Sequence, residues 1–414
     1  MRHRNWIHGI LFTTAAFIAT PTSRAAVTYT VVYNFGGTAG ANPIAGVILD
    51  PEGNMYGTTY NGGLGYGVVF KLSPSGTETV LYSFTGGADG GQPAAPLIRD
   101  SAGNLYGTTS AYGLCAYCGT VFKLDTTGTL TTLYSFTGGA DGGYPLAGVI
   151  MDSSGNLYGT TYSGGILTGT CATIGEYPVA GCGVIFELET SGTEKVLYTM
   201  TGNTDGANAG AGVIRDSEGN IYATDEDAAK CYGCGVAFKL SATGTYTLLH
   251  EFGGGTDGFM PMASLVEDSS GNLYGSTEYG GITGGVCTSS GCGVVFEINS
   301  AGTESVLYKF TGGSDGAKLA CNLIRDSAGN LYGTTYTGGS TAGNCESIGD
   351  TDIPGCGTVF KLGTTGALTV LHQFTVGGGA NSAAGLTPGP GDVFYGTTEH
   401  GGTLHGGVVF KLTL

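Results

Sequence analysis

The chain has 414 residues, 80 of them glycine, with 11% charged and 10% aromatic residues. Glycine is about a fifth of the chain against a usual ~7%, but it follows no every-third-residue period, so a collagen triple helix is excluded. Aromatic content and low charge exclude disorder. Tyr, Thr, Val and Phe between glycines point to a large all-β protein. A formal net charge of −17 repels phosphate backbones, so no nucleic-acid partner is expected.

Residues 1–25 read as a secretory signal peptide. Arg2 and Arg4 form a basic start, Ile10–Ala19 an apolar middle, and Ser23-Arg24-Ala25 a small-x-small cleavage site. The apolar stretch is too short to span a bilayer and no second one follows, so no membrane span is expected. Cleavage would remove the one tryptophan, Trp6, and leave 12 basic against 32 acidic residues in a single domain over 26–414.

From there on one unit recurs seven times. Its first signature is of the Gly-Asn-x-Tyr-Gly-Thr-Thr type, with the tyrosine at Tyr56, Tyr106, Tyr158, Tyr222, Tyr274, Tyr332 and Tyr395. The second, Gly-x-x-Phe-Lys-Leu, places Phe70, Phe122, Phe186, Phe238, Phe296, Phe360 and Phe410. The third, Leu-Tyr-Ser-Phe, ends at Phe35, Phe84, Phe136, Met200, Phe252, Phe310 and Phe374. Each unit predicts four strands: a short a (Pro96–Arg99 in the second unit), b (Asn104–Thr109), c (Thr120–Leu124) and d (Leu130–Phe136), separated by glycine turns. In strand c, Val68, Phe70 and Leu72 share one face and Val69 and Lys71 the other, the pattern of a sheet covered on both sides. Thr28–Phe35 matches strand d and Val408–Leu414 matches strand c, so an orphan d strand can complete the last unit and remove an exposed edge. The expected fold is a closed seven-bladed β-propeller with four antiparallel strands per blade, the N-terminal strand closing the last blade. The alternative, a β-solenoid, has shorter repeats and polar caps.

With Gly-Asn-Leu-Tyr-Gly-Thr-Thr at 103–109, Gly-x-Val-Phe-Lys-Leu at 119–124 and Leu-Tyr-Ser-Phe-Thr-Gly-Gly-x-Asp-Gly at 133–142, the chain resembles the GloVer tandem-repeat family of secreted bacterial proteins along essentially its whole mature length. The resemblance implies a repeat architecture and no established activity. Members often carry a C-terminal sorting or anchoring segment. This sequence stops at Leu414, directly after strand c, so release into periplasm or medium is expected.

Ten cysteines pair by position between strands b and c: Cys115/Cys118, Cys171/Cys182, Cys231/Cys234, Cys287/Cys292 and Cys345/Cys356. The second of each pair immediately precedes the glycine that opens strand c, while the spacing varies. A staple tolerates that variation; matched metal ligands do not. Zinc binding or redox activity of the two Cys-x-x-Cys pairs is the alternative. Cys321 falls in a column of alanines and is expected to be free and buried.

The d–a and b–c connections of a propeller emerge on one face, and here they are the long, variable ones, so function is expected there. Directly after strand b stand Tyr60, Ser110, Tyr162, Glu226, Glu278, Tyr336 and Glu399. Of these, Tyr60, Tyr162, Glu226, Glu278, Tyr336 and Glu399 are the candidate ligand-binding residues. Converging carboxylates can hold Ca²⁺ or act as an acid–base pair on a sugar. His400 and His405 lie beside Glu399 in the last b–c loop, whereas His250 and His372 sit in the strand-d tyrosine column as structural residues. The Asp-Gly of the d–a loops (Asp89, Asp141, Asp205, Asp257, Asp315) reads as a turn device. A column just before strand a varies from Asn42 through Gln92, Tyr144, Asn208, Met260 and Lys318 to Asn381.

Two functions fit. The first is a secreted, monomeric module that presents stapled loops to a glycan or an extracellular protein. The second is a carbohydrate-active enzyme, a polysaccharide lyase or a glycoside hydrolase, with Glu399, His400, His405, Tyr60, Tyr66 and Glu278 as catalytic candidates. No Gly-x-Ser-x-Gly, phosphate-loop or His-Glu-x-x-His motif is present.

Overall fold

The computed structural model describes residues 26–172, 180–227, 233–287, 289–319, 321–345 and 352–414. The signal-peptide expectation lies outside them. The chain forms seven four-stranded antiparallel sheets around a central axis. The first blade, blade 1, is built from Ile48–Leu49, Met55–Thr59, Val68–Leu72 and Glu78–Ser83, strands a to d from the axis outward, and blades 2 to 6 repeat it. Blade 7 takes Thr387–Pro388, Val393–Thr398 and Val408–Thr413 as a to c and borrows Thr28–Asn34 as d. Thr30 pairs with Lys411, Val31 with Phe410 and Tyr33 with Val409, so the two ends of the chain close the ring. Strand a is shorter than the sequence suggests: in blade 2 only Ile98–Arg99 pair. No α-helix occurs among the described residues, and no helix there is long and apolar enough to cross a membrane.

Each signature has a physical job. The strand-d phenylalanine of one blade packs on the strand-c phenylalanine of the next: Phe84 on Phe122 at 5.3 Å between ring centroids, Phe136 on Phe186 at 5.1 Å, Phe310 on Phe360 at 5.2 Å. Phe35 on Phe70, at 4.9 Å, carries the series across the junction of the termini. All are fully buried, each stabilising by roughly 2–3 kcal/mol. The first threonine of Thr-Thr donates to a carbonyl of the next blade, as in Thr108 Oγ1 to Ala147 O (2.9 Å) and, across the closure, Thr397 Oγ1 to Ala45 O (2.9 Å).

On the face of the a–b turns, Asp100 accepts from the Asn104 N–H (2.8 Å), Asn104 Nδ2 (2.7 Å) and the Tyr106 hydroxyl (3.1 Å), and Lys123 of the Phe-Lys-Leu signature lies over the Tyr106 ring. The Asp-Gly of the d–a loops does turn work. Asp141, for example, accepts from the Thr137 N–H (2.8 Å) and the Tyr134 hydroxyl (3.1 Å).

Candidate functional site

The b–c and d–a connections share one face, and their backbones interlock. The residue just before strand a donates its N–H to the b–c loop of the preceding blade and accepts from the residue after strand b of its own blade. Gln92 N–H bonds Tyr66 O (2.8 Å) and Ser110 N–H bonds Gln92 O (3.2 Å); Lys318 N–H bonds Cys292 O and Tyr336 N–H bonds Lys318 O, both at 2.9 Å. This register holds Asn42, Gln92, Tyr144, Asn208, Met260, Lys318 and Asn381 at φ of 55–59°. Only asparagine tolerates that left-handed region well, and other side chains cost about 1–2 kcal/mol there. The sequence shows this column as merely variable. The structure shows a ring of strained backbone around the channel mouth, a condition that persists where surroundings over-determine it.

Disulfides Cys115–Cys118, Cys171–Cys182, Cys287–Cys292 and Cys345–Cys356 staple four b–c loops, with Cα separations of 5.0–5.1 Å. Of the fifth expected pair, Cys231 lies outside the described residues and Cys234 is disulfide-bonded. Cys321 is free and buried, its thiol donating to Thr334 O.

The rim divides into two sectors. Blades 1 to 3 supply tyrosines. Tyr66 meets Tyr112 edge to face at 5.0 Å, and Tyr144 meets both Tyr117 and Tyr162 at 5.9 Å. Tyr60 is half-buried beside them, its phenol pushed up to about 12 by burial first and then by Tyr144, Tyr112, Tyr117 and Glu399. Leu64 and Leu114, 66% and 67% exposed, stand at the tips of the same loops. Tyr112 and Tyr117 escape a column-by-column reading because they sit in loops of unequal length; a simple count of aromatics in the b–c loops would have found them.

Blades 4 to 7 supply charge. The Tyr336 hydroxyl donates to Glu399 Oε2 at 2.9 Å, and His400 Nε2 lies 3.6 Å from Glu399 Oε1. Asn42 Nδ2 donates to Glu399 O (3.2 Å) and lies 3.3 Å from His400 Nδ1. Burial, then Glu399 and then Glu278, raise the Tyr336 phenol. Burial raises Glu278 against the opposing pull of Lys318. Lys318, 1% exposed, donates to the Tyr279 hydroxyl (3.2 Å) and lies over that ring, which stacks on Phe259 at 5.2 Å. Glu226 is buried, one of several acids that raise the Tyr279 phenol.

Among the sequence candidates, Tyr336, Glu399, His400 and Tyr60 thus come together across the closure. Tyr66 and Tyr162 join the tyrosine sector, Glu278 and Glu226 lie around Tyr279, and His405 stands exposed on its loop. Among the described residues no three His, Cys, Asp or Glu are placed to hold a metal ion. Below the rim the channel is a cavity of about 270 Å³ lined by strand a and its approach, including Ile44, Ala95, Leu146, Val149 and Met262; its described lining is uncharged. The described lining of the channel thus offers no acid–base group.

Fold and rim define a closed repeat propeller with one elaborated face. The Gloeobacter/Verrucomicrobia repeat family model matches residues 15–180, 169–348 and 293–414, and the chain belongs to that family. No curated protein matches it. Among solved structures it is similar to the extracellular domain of a protein from B. thetaiotaomicron assigned as a one-component system (11% identity, TM-score 0.53, 91% of this chain and 39% of that one). It is likewise similar to PorZ, a bacterial surface component of the type-IX secretion system of Porphyromonas gingivalis (11% identity, TM-score 0.51, 90% and 46%). The chain spans less than half the length of either, and at this identity the likeness is one of fold.

Proposed function

We propose that the chain is an exported extracellular binding module that recognises a glycan with the rim of its b–c face. The tyrosine sector carries this reading. Tyr60, Tyr66, Tyr112, Tyr117 and Tyr144 gather flat, partly wet rings on three adjacent blades, with Tyr162 buried against Tyr144, and such rings take the apolar faces of sugars while their hydroxyls reach the polar edges. Disulfide staples in four loops suit an oxidising compartment. The uncharged channel lining favours binding over catalysis within the channel.

A glycan array with the purified chain tests the reading. The expected result is carbohydrate binding that Tyr60→Ala or Tyr117→Ala weakens about tenfold, the usual loss for a central aromatic, at unchanged melting temperature. Binding to no glycan, or undiminished binding by both variants, would reject it.

A second reading, a polysaccharide lyase or hydrolase, is favoured by one contact set: Glu399 between the Tyr336 hydroxyl and His400, a carboxylate beside a phenol and an imidazole able to move a proton. It requires release of sugar fragments from a polysaccharide and the loss of that release in Glu399→Gln.

A further inference from the structure

The b–c loops carry a feature that glycan recognition does not use. In six blades the same backbone bond fixes the start of the loop. Gly63, Gly113, Gly165, Gly281, Gly339 and Gly402 each donate N–H to a carbonyl of the d–a connection leading into their own blade, at 2.8–3.2 Å. All six stand at φ of 60–86°, left-handed backbone that glycine adopts without strain, so the residue that follows takes an equivalent place in each blade. That residue is Leu64, Leu114, Ile166, Ile282, Ser340 or Thr403. Ile166 is half-buried with Leu167 exposed beside it, and Leu404 follows Thr403. Among the described residues ten large apolar side chains are exposed, and seven of them lie on the b–c loops, including Leu64, Leu114, Leu167, Ile282, Val286 and Leu404. One exposed leucine is ordinary. Gathering on one face marks an interaction surface.

Places repeated about one axis share a plane perpendicular to it, so the loop tips form a flat crown around the tyrosines. Glycines on both sides hold Leu64 alone at its tip, and a Cβ at Gly65 would meet nothing within 4 Å. Single aliphatic tips on a ring do not make the contiguous, close-packed core of a protein interface, whereas a fluid acyl layer closes round each one separately. The tyrosines behind them would rest at the level of lipid headgroups, where amphipathic rings are favoured. From residue 26 on the chain carries 12 basic against 32 acidic residues, a balance that repels a second copy of itself and an anionic leaflet alike. We propose that the b–c face docks on a zwitterionic lipid surface, with Leu64, Leu114, Ile282 and Leu404 entering the acyl boundary and the channel axis standing along the membrane normal. Docking goes beyond glycan recognition and does not depend on it; a glycan held by a docked molecule would be one carried on that surface.

Vesicle flotation tests this with the chain from residue 26 onward, which holds all seven blades and lacks the apolar leader that would bind lipid by itself. Binding to phosphatidylcholine vesicles is expected, with weaker binding to phosphatidylglycerol vesicles at low salt. Leu64→Ser with Leu114→Ser should cut the affinity about a hundredfold, roughly tenfold for each leucine withdrawn from lipid. Val196→Ser with Leu248→Ser, on the exposed outer strands of blades 3 and 4, should leave it in place. Leu64→Trp gives this chain its one tryptophan, whose emission should shift to the blue on adding vesicles, whereas that of Val196→Trp should not. Absence of binding to phosphatidylcholine, or tighter binding to phosphatidylglycerol, overturns the proposal. Binding that the outer-strand pair weakens as much as the tip pair, or that leaves the Leu64→Trp emission unmoved, overturns it in favour of adsorption without a preferred face. Self-association that the tip pair abolishes, without vesicle binding, overturns it in favour of a second copy on the same face. All of these outcomes leave the glycan array to decide sugar binding separately.

Discussion

Gly107 and Phe122 face each other across strands b and c of blade 2, and a Cβ at Gly107 would stand 2.8 Å from both Phe122 Cζ and Leu97 Cδ2. The glycine of the first signature is there because the phenylalanine of the second is, and the pair is a single packing unit. Glu194 shows the reverse situation, an ill-matched group. It opens the outer strand of blade 3 with Oε1 buried and unpartnered. Burial, and after it the Asp141 carboxylate of blade 2, push its pKa up to about 7. A raised acid contributes stability below its unfolded value and loses it as pH rises through the folded one. Between about pH 4.5 and 7, therefore, ionisation of Glu194 progressively weakens the fold. Glu194→Gln should raise the melting temperature by about 2 °C or more at pH 8 and change it little at pH 4.5, as followed by calorimetry across that range. A variant less stable than the parent at pH 8 would show that the carboxylate has a partner worth more than its burial costs.

At the scale of the element, the a–b hairpin is closed by an aspartate. Burial alone would raise the Asp100 carboxyl, but the bonds from Asn104 and Tyr106 outweigh it and hold the group below its usual range. Asp50, Asp152, Asp216, Asp268 and Asp326 are lowered in the same way. A lowered acid stabilises above its unfolded value and stops doing so as pH falls through the folded one, so the blades should weaken together below about pH 4. Asp100→Ala should cost about 1.5–3 kcal/mol at neutral pH, the range for hydrogen bonds to a charged acceptor, and should flatten the acid limb of a urea-midpoint curve; an unchanged midpoint would mean that the backbone turn holds without it.

Strands b, c and d were legible because alternation and turn chemistry agree there. Strand a was overestimated: Pro96 cannot donate to a ladder, and only Ile98 and Arg99 pair. The rim was half legible. Aligned columns revealed Tyr60, Glu399 and Tyr336, but the left-handed ring was hidden because Gln92, Tyr144, Met260 and Lys318 are poor formers of that conformation, imposed on them by bonds between blades.

For the whole molecule the decisive contact joins the ends. Thr30 and Lys411 occupy the positions in blade 7 that Thr79 and Lys71 occupy in blade 1: each pair lies opposite across strands c and d. The two pairs share a local geometry and differ in the chain between them, roughly 380 residues against roughly nine. Loop-closure entropy grows with the logarithm of that length, so a disulfide across the ring junction should stabilise by about 3 kcal/mol more than the same disulfide within a blade. Thr30→Cys with Lys411→Cys, compared with Lys71→Cys and Thr79→Cys, makes the test a matched one, because any strain of the cross-link is common to both. Cys321 is buried and the described rim cysteines are already paired, so neither should compete for the new thiols. Melting temperatures of the oxidised variants, each measured against the parent chain, should rise more for the junction pair. Equal gains would mean that the unfolded chain already keeps its ends close. Failure of the junction pair to oxidise, with the in-blade pair forming readily, would mean that the ring is open in solution, and the rim formed by blades 7 and 1 around Glu399 and Tyr60 would be lost with it.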